Sequence, residues 1–260
     1  MKKSTAQALV KTSLLGVALA MSLWGSGTTT LSAATTAVAY AYSNATVQPS
    51  GPRTGANGLN YFNVEGPDKG GGTFNSFGVV DFSAPQLGLD SSQNYLFNQI
   101  TLNFTEANSS FSAAGPINFY LASDTSTSIL NDGSSPLRND GTMEGISSGG
   151  QLGTLYFLGQ GNFSPISNGT VDTYTFNLTD PATQALLNDL IDSNGTLRIV
   201  ATAAASYSSA TWSGYTFNAE TLMLDYQLLD IPEPSTYALL ASGIAGLIFL
   251  ARYRRKSVIL

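Results

Sequence analysis

Any chemistry in this 260-residue chain has to be done with oxygen, because it contains neither cysteine nor histidine. Those two absences remove thiol nucleophiles, thiolate and imidazole metal sites, the Ser-His-Asp arrangement and the usual pH switch together. Carboxylates are what remain for proton transfer, and cleavage of a glycosidic bond by two of them needs a pair roughly 5–10 Å apart. Glu65, Glu106, Glu144 and Glu220 are the candidates because they lie near the ends of apolar runs. No spacing marks any two as partners, and Glu220 reads as a structural acceptor beside the last run. The expectation is a protein that is not an enzyme.

Oxygen donors also suit calcium, and Asn131-Asp132-Gly133, Asn139-Asp140-Gly141 and Glu144 are concentrated in one stretch. No Asp-x-Asp-x-Asp-Gly loop accompanies them, and Asn-Asp-Gly is first a turn signal. No cofactor is therefore expected, with calcium in this stretch as the alternative. Gly70-Gly71-Gly72 lacks a following Gly-Lys-Ser/Thr and reads as a loop, not a phosphate cradle. Tyr207, Trp212 and Tyr215 fall together in SYSSATWSGY and are candidates for a glycan contact, since sugar rings stack on aromatic faces. The competing expectation for a Trp between strands is a place in the core.

Charge narrows the partners. Of the 11 Lys and Arg, only Arg53, Lys69, Arg138 and Arg198 lie between residues 42 and 231, where they meet 16 of the 17 carboxylates. Four cations against sixteen anions give that region a net charge of −12, hidden within the −6 of the whole chain. Such a domain repels phosphate backbones and anionic lipid, so nucleic acid is not an expected partner.

The elements that must hold these residues read mainly as strands. Short runs with apolar residues at every second position occur at 77–82, 97–104, 117–122, 154–158, 172–178, 197–203, 215–217 and 221–228, separated by Gly, Ser, Thr and Asn. One helix interrupts them: Asp180 can cap it, Pro181 can take its first position, and Asn194-Gly195 can end it. This pattern predicts an all-β, two-sheet antiparallel sandwich, a jelly roll, with one short crossover helix.

Both ends differ from the middle. Met1-Lys2-Lys3 followed by the apolar run 14–24 has the layout of a secretory signal peptide. Ser32-Ala33-Ala34, Ala37-Val38-Ala39 and Ala39-Tyr40-Ala41 each offer a small-residue cleavage site, after residue 34, 39 or 41, which assigns 1–41 to the signal region and 42–230 to the exported domain. The other end, 231–260, begins with Ile231-Pro232-Glu233-Pro234-Ser235, continues with an apolar stretch at 237–251 and closes on Arg252, Arg254, Arg255 and Lys256. The two prolines hold the motif extended. The apolar stretch reaches only about 22 Å as a helix against a hydrocarbon core of ~30 Å. It reads as a transient inner-membrane anchor whose basic residues remain cytoplasmic.

Pro232-Glu233-Pro234-Ser235, the Leu, Gly and Ala-rich stretch and the arginine cluster, in that order, resemble the PEP-CTERM sorting signal of Gram-negative bacteria. The resemblance implies processing by exosortase, a membrane protease, and delivery to the cell surface or the exopolysaccharide matrix. Ser257 to Leu260 extend past the point where such tails commonly end. Within the exported region, residues 76–82, 100–104 and 215–226 are similar to DNRLRE-type jelly-roll domains of bacterial surface proteins, though Asn218-Ala219-Glu220 lacks their Ser and Arg. The function expected is a structural or adhesive role in exopolysaccharide or biofilm. The alternative is a carbohydrate-binding lectin, or a carboxylate-dependent polysaccharide-active enzyme, displayed by the same route.

Overall fold

The computed structural model describes residues 34–68, 75–129, 137–140, 146, 151–217, 220–229 and 240–248. Where apolar and polar residues alternate, strands form: β1 (Thr35–Gln48), β2 (Gly51–Pro52), β3 (Tyr61–Glu65), β4 (Phe77–Ser83), β5 (Tyr95–Thr105), β6 (Gly115–Ala122), β7 (Leu155–Phe163), β8 (Val171–Asn177), β9 (Thr196–Ala203), β10 (Ser209–Ser213) and β11 (Thr221–Leu228). Two helices, α1 (Ala56–Asn60) and α2 (Pro181–Asp192), join them. Together they make one compact unit, Ala33–Leu228.

The expected antiparallel sandwich is found, with its layers joined into one sheet in the order β7-β6-β9-β4-β1-β11-β5-β8. β1 makes the join. Its first half, Thr35 to Tyr40, pairs with β11. After an irregularity between Ala41 and Ser43 the strand continues along β4, a local kink of the kind that re-aims a strand at a sheet corner. The far ends of the sheet, β7 and β8, approach because Gly161 leaves room for a ring: a Cβ there would lie 2.3 Å from Tyr174 Cδ1. The result is a near-barrel.

The ribbon β3–β10 inserts Phe62, Val64, Ala210 and Trp212 into the core. β5 buries alternate residues on each side of an irregularity at Asn98, Tyr95 and Phe97 before it and Ile100, Leu102 and Phe104 after it, whereas β4 and β9 are buried almost throughout. The difference arises because Ala45, Phe77, Val79 and Val200, on the outer side of their strands, are covered by Ile129, Leu137 and Leu152 in a second apolar cluster.

Helix α2 forms as its sequence predicts. Asp180 Oδ2 accepts from the Thr183 backbone N–H at 2.9 Å and Pro181 occupies the first position. Asn194 takes φ +52°, and the Gly195 N–H returns to the Leu190 carbonyl at 2.7 Å. The helix then acts as a side-chain partner for the start of β5. Gln184 Oε1 accepts from Phe97 N–H and Asn188 Oδ1 from Tyr95 N–H, each at 2.9 Å, while Asn188 Nδ2 donates to the Tyr95 carbonyl. These carboxamides satisfy backbone groups lying before Gln99, where the pairing with β8 begins.

Three sequence expectations need correction. The domain begins at β1, seven residues before the expected start at 42, because Thr35 to Ala41 are integral to the sheet. β3 and β10 are strands in stretches outside the runs expected to be strands. Tyr215–Phe217, expected as a strand, is a 3-10 turn.

Candidate functional site

The expected glycan aromatics do not form one face. Trp212 is fully buried, with ring centroids 5.0 Å from Phe62, 5.2 Å from Phe104 and 5.7 Å from Phe163. Its indole Nε1 donates to Asp172 Oδ2 at 2.8 Å. This corrects its assignment as a sugar platform: enclosing the ring on all sides leaves no face for a ligand. Tyr207 is exposed and Tyr215 packs partly against the core.

Near Trp212, Glu106 is buried, with Oε2 accepting from Ile166 N–H at 2.9 Å and Oε1 meeting no partner among the described residues. Burial pushes the Asp172 carboxyl up to about 6, opposed by the Trp212 hydrogen bond and reinforced by the charge of Glu106. Glu220 is also buried, with neither side-chain oxygen meeting a partner from another residue among those described, and desolvation pushes it up to about 8. Of the acid–base candidates, Glu106 and Glu220 are buried, while half-buried Glu65 faces a surface hollow. Glu144 lies outside the described residues.

A groove assembles instead from residues distant in sequence. A hollow of about 320 Å³ is lined by Thr46, Arg53, Asn63, Asn108, Phe111 and Glu65, the last a carboxylate named above as an acid–base candidate. Sharing Arg53, Asn63 and Asn108, it continues past Asn57, Tyr61 and Thr211. Sharing Tyr61 and Asn108, it then reaches a second hollow of about 220 Å³ beside Glu106, Asn168, Gly169 and Phe217.

The floor of the groove is fixed. Asn63 N–H donates to Thr46 Oγ1 at 2.8 Å and Asn63 Nδ2 to Thr211 Oγ1 at 2.7 Å, tying β3 to β1 and β10. Buried Asn44 extends the tie by donating to the Gly58 carbonyl and accepting from Tyr215 N–H. Gly214 permits this approach, since a Cβ there would sit 2.2 Å from the Leu59 carbonyl oxygen. Arg53 Nη1 reaches Asn63 Oδ1 at 3.4 Å, and its other guanidinium donors have no protein partner among the described residues. Asn108 adopts the left-handed conformation, φ 52°, and starts a 3-10 turn that leaves Phe111 67% exposed. Rigid carboxamides below, one cation with open donors and aromatic lips at Phe111 and Phe217 suit a hydroxyl-rich ligand with apolar ring faces.

Sequence reasoning missed these residues. One signal was present: Arg53 is a rare cation in an acidic domain.

The stretch that offers oxygen donors for calcium is described only in part. Asp124 accepts from Ser126 N–H and Oγ at 2.8 and 2.6 Å, which lowers its pKa through those bonds. Asn131 to Gly133 lie outside the described residues, and among those described no group of three acidic side chains converges. In the C-terminal region, residues 240–248 are helical and exposed. Pro232, Glu233, Pro234, Ser235, Arg252, Arg254, Arg255 and Lys256 lie outside the described residues. Among those described, no helix is long and apolar enough to cross a membrane.

Comparison with known proteins bears on the two parts differently. No curated protein matches the chain. Among solved structures, the K1 cleaved adhesin domain of Lys-gingipain from Porphyromonas gingivalis W83 aligns at 13% identity over 76% of this chain and 99% of that one, with a TM-score of 0.23, too low to carry an argument. Residues 230–256 match the model of the PEP-CTERM protein-sorting motif. This chain carries that motif, and with it the mark of an exported protein sorted by exosortase through a C-terminal anchor held in transit.

Proposed function

We propose that the sandwich works at the cell surface or in the extracellular matrix as a non-enzymatic structural or adhesive component, holding a neutral polysaccharide in the groove built on Asn63. The observation that carries this reading is the groove itself: Asn63 is locked by β1 and β10 while Arg53, beside exposed Phe111, keeps donors without a partner among the described residues. A preorganised floor spares a ligand the entropy of ordering protein side chains. Sixteen carboxylates against four cations favour a neutral glycan over a polyanion, because repulsion acts across a Debye length of about 8–10 Å.

The test is co-sedimentation of the mature exported protein with neutral extracellular polysaccharide from its host. Retention is expected, with a loss of about tenfold in affinity for Arg53→Ala or Phe111→Ala at unchanged melting temperature. Equal retention of wild type and variants would exclude the groove. Release of new reducing ends would establish the enzyme alternative.

A further inference from the structure

The N-terminal region offers three small-residue sequences to signal peptidase, and the fold discriminates among them. β1 begins at Thr35, and its residues pair with β11 without a break from Thr35↔Tyr226 to Tyr40↔Thr221. Ala37, Ala39 and Ala41 are buried in the core while Val38, Tyr40 and Tyr42 alternate outward. The repeated Ala-x-Ala therefore has a packing cause: it is the inward face of a strand, with period two. Ser32-Ala33-Ala34 precedes the strand and has no such explanation.

The consequences of cutting at each place differ sharply. Hydrolysis after Ala39 would remove five of the six residues that pair with β11, and hydrolysis after Ala41 would remove all six together with the Ala41↔Phe82 pair. Either cut would strip one side of β11 along Thr221 to Tyr226, leaving backbone N–H and C=O groups open inside a sheet. It would also break the join between the layers, since β1 is the strand shared by β11 and β4. A cut after Ala34 leaves every pair in place. That position also stands closest to the apolar run ending at Trp24, within a span suited to signal peptides.

We infer that the leader is removed by hydrolysis of the Ala34–Thr35 peptide bond. Water supplies the hydroxyl to the Ala34 carbonyl carbon and a proton to the Thr35 nitrogen, so the mature protein starts with the first residue of β1. The new ammonium lies next to Thr36, whose Oγ1 donates to Asp225 Oδ1 at 2.6 Å, a carboxylate of favourable sign.

Intact mass and N-terminal sequencing of the full chain exported by a Gram-negative host test this. A mature terminus at Thr35 is expected. A terminus at Tyr40 or Tyr42, or an intact leader, overturns it. Ala34→Leu, which places a bulky residue before the scissile bond and outside the strand, is expected to cause accumulation of unprocessed precursor. Undiminished processing of that variant at its wild-type position, or wild-type yields of a product starting at Tyr40 or Tyr42, would also overturn it.

Discussion

Glu220 should make the folded domain lose stability as pH rises through neutrality. Its side chain is fully buried, and burial pushes its pKa from the ordinary 4.5 to about 8. Below about pH 4.5 both folded and unfolded chains carry the proton, and the group contributes no pH dependence. Between that value and about 8 the unfolded chain ionises while the folded one does not, so unfolding becomes progressively easier. At about 1.4 kcal/mol per pKa unit the full effect is ~5 kcal/mol. Of this, roughly 1.5–2 kcal/mol falls between about pH 6.5 and about pH 8. Asp172, raised to about 6 in a half-buried setting, acts with the same sign but mostly below that interval. The assay is urea unfolding of the mature domain at those two pH values, for wild type and Glu220→Gln. The wild type should lose stability between them, and the isosteric neutral amide should flatten the loss. An unchanged slope in Glu220→Gln would refute the assignment. On the acid side, Asp90, Asp124 and Asp180 have pKa values lowered chiefly by hydrogen bonds from Ser92, Ser126 and Thr183. Stability associated with them is present above the ordinary carboxylate pKa of 3.8 and is lost as pH falls through their lower folded values.

Two further predictions concern the core. Arg198 and Asp81 form a buried bidentate pair, Nε–Oδ1 2.8 Å and Nη2–Oδ2 2.9 Å, in which burial raises the Asp81 pKa against the lowering effect of Arg198. Arg198→Met alone should cost about 3–5 kcal/mol by leaving a buried carboxylate unpaired, and adding Asp81→Leu should restore much of it in a denaturation double-mutant cycle. Trp212→Phe should cost about 1–3 kcal/mol through the unpaired Asp172, and Trp212→Ala about 3–5 kcal/mol through the cavity, both read as reduced urea midpoints.

Much of the sheet was legible because its signals are local. β5, β8 and β11 alternate in sequence as they do in burial, and the cap, proline and Asn-Gly of α2 need only their neighbours to act. β1 was hidden by resemblance to a cleavage region, since alanines fit both a strand's inner face and a protease consensus. β3 and β10 were hidden by polar residues, Asn63 and Thr211, whose hydrogen bonds cross between strands. The groove was invisible for the same reason: Thr46, Arg53, Asn63, Asn108 and Thr211 have no common spacing.

By itself, the sequence determined the export and sorting signals, the acidic charge, the class of fold and the exclusion of thiol and imidazole chemistry. Each depends on composition or on residues adjacent along the chain. Tertiary structure decided where the domain starts, which aromatic is core and which is surface, which carboxyls resist ionisation, and what lines the groove. Those properties depend on burial and on contacts between residues more than a hundred positions apart, as in the bonds between Asn63 and Thr211 or Asp81 and Arg198.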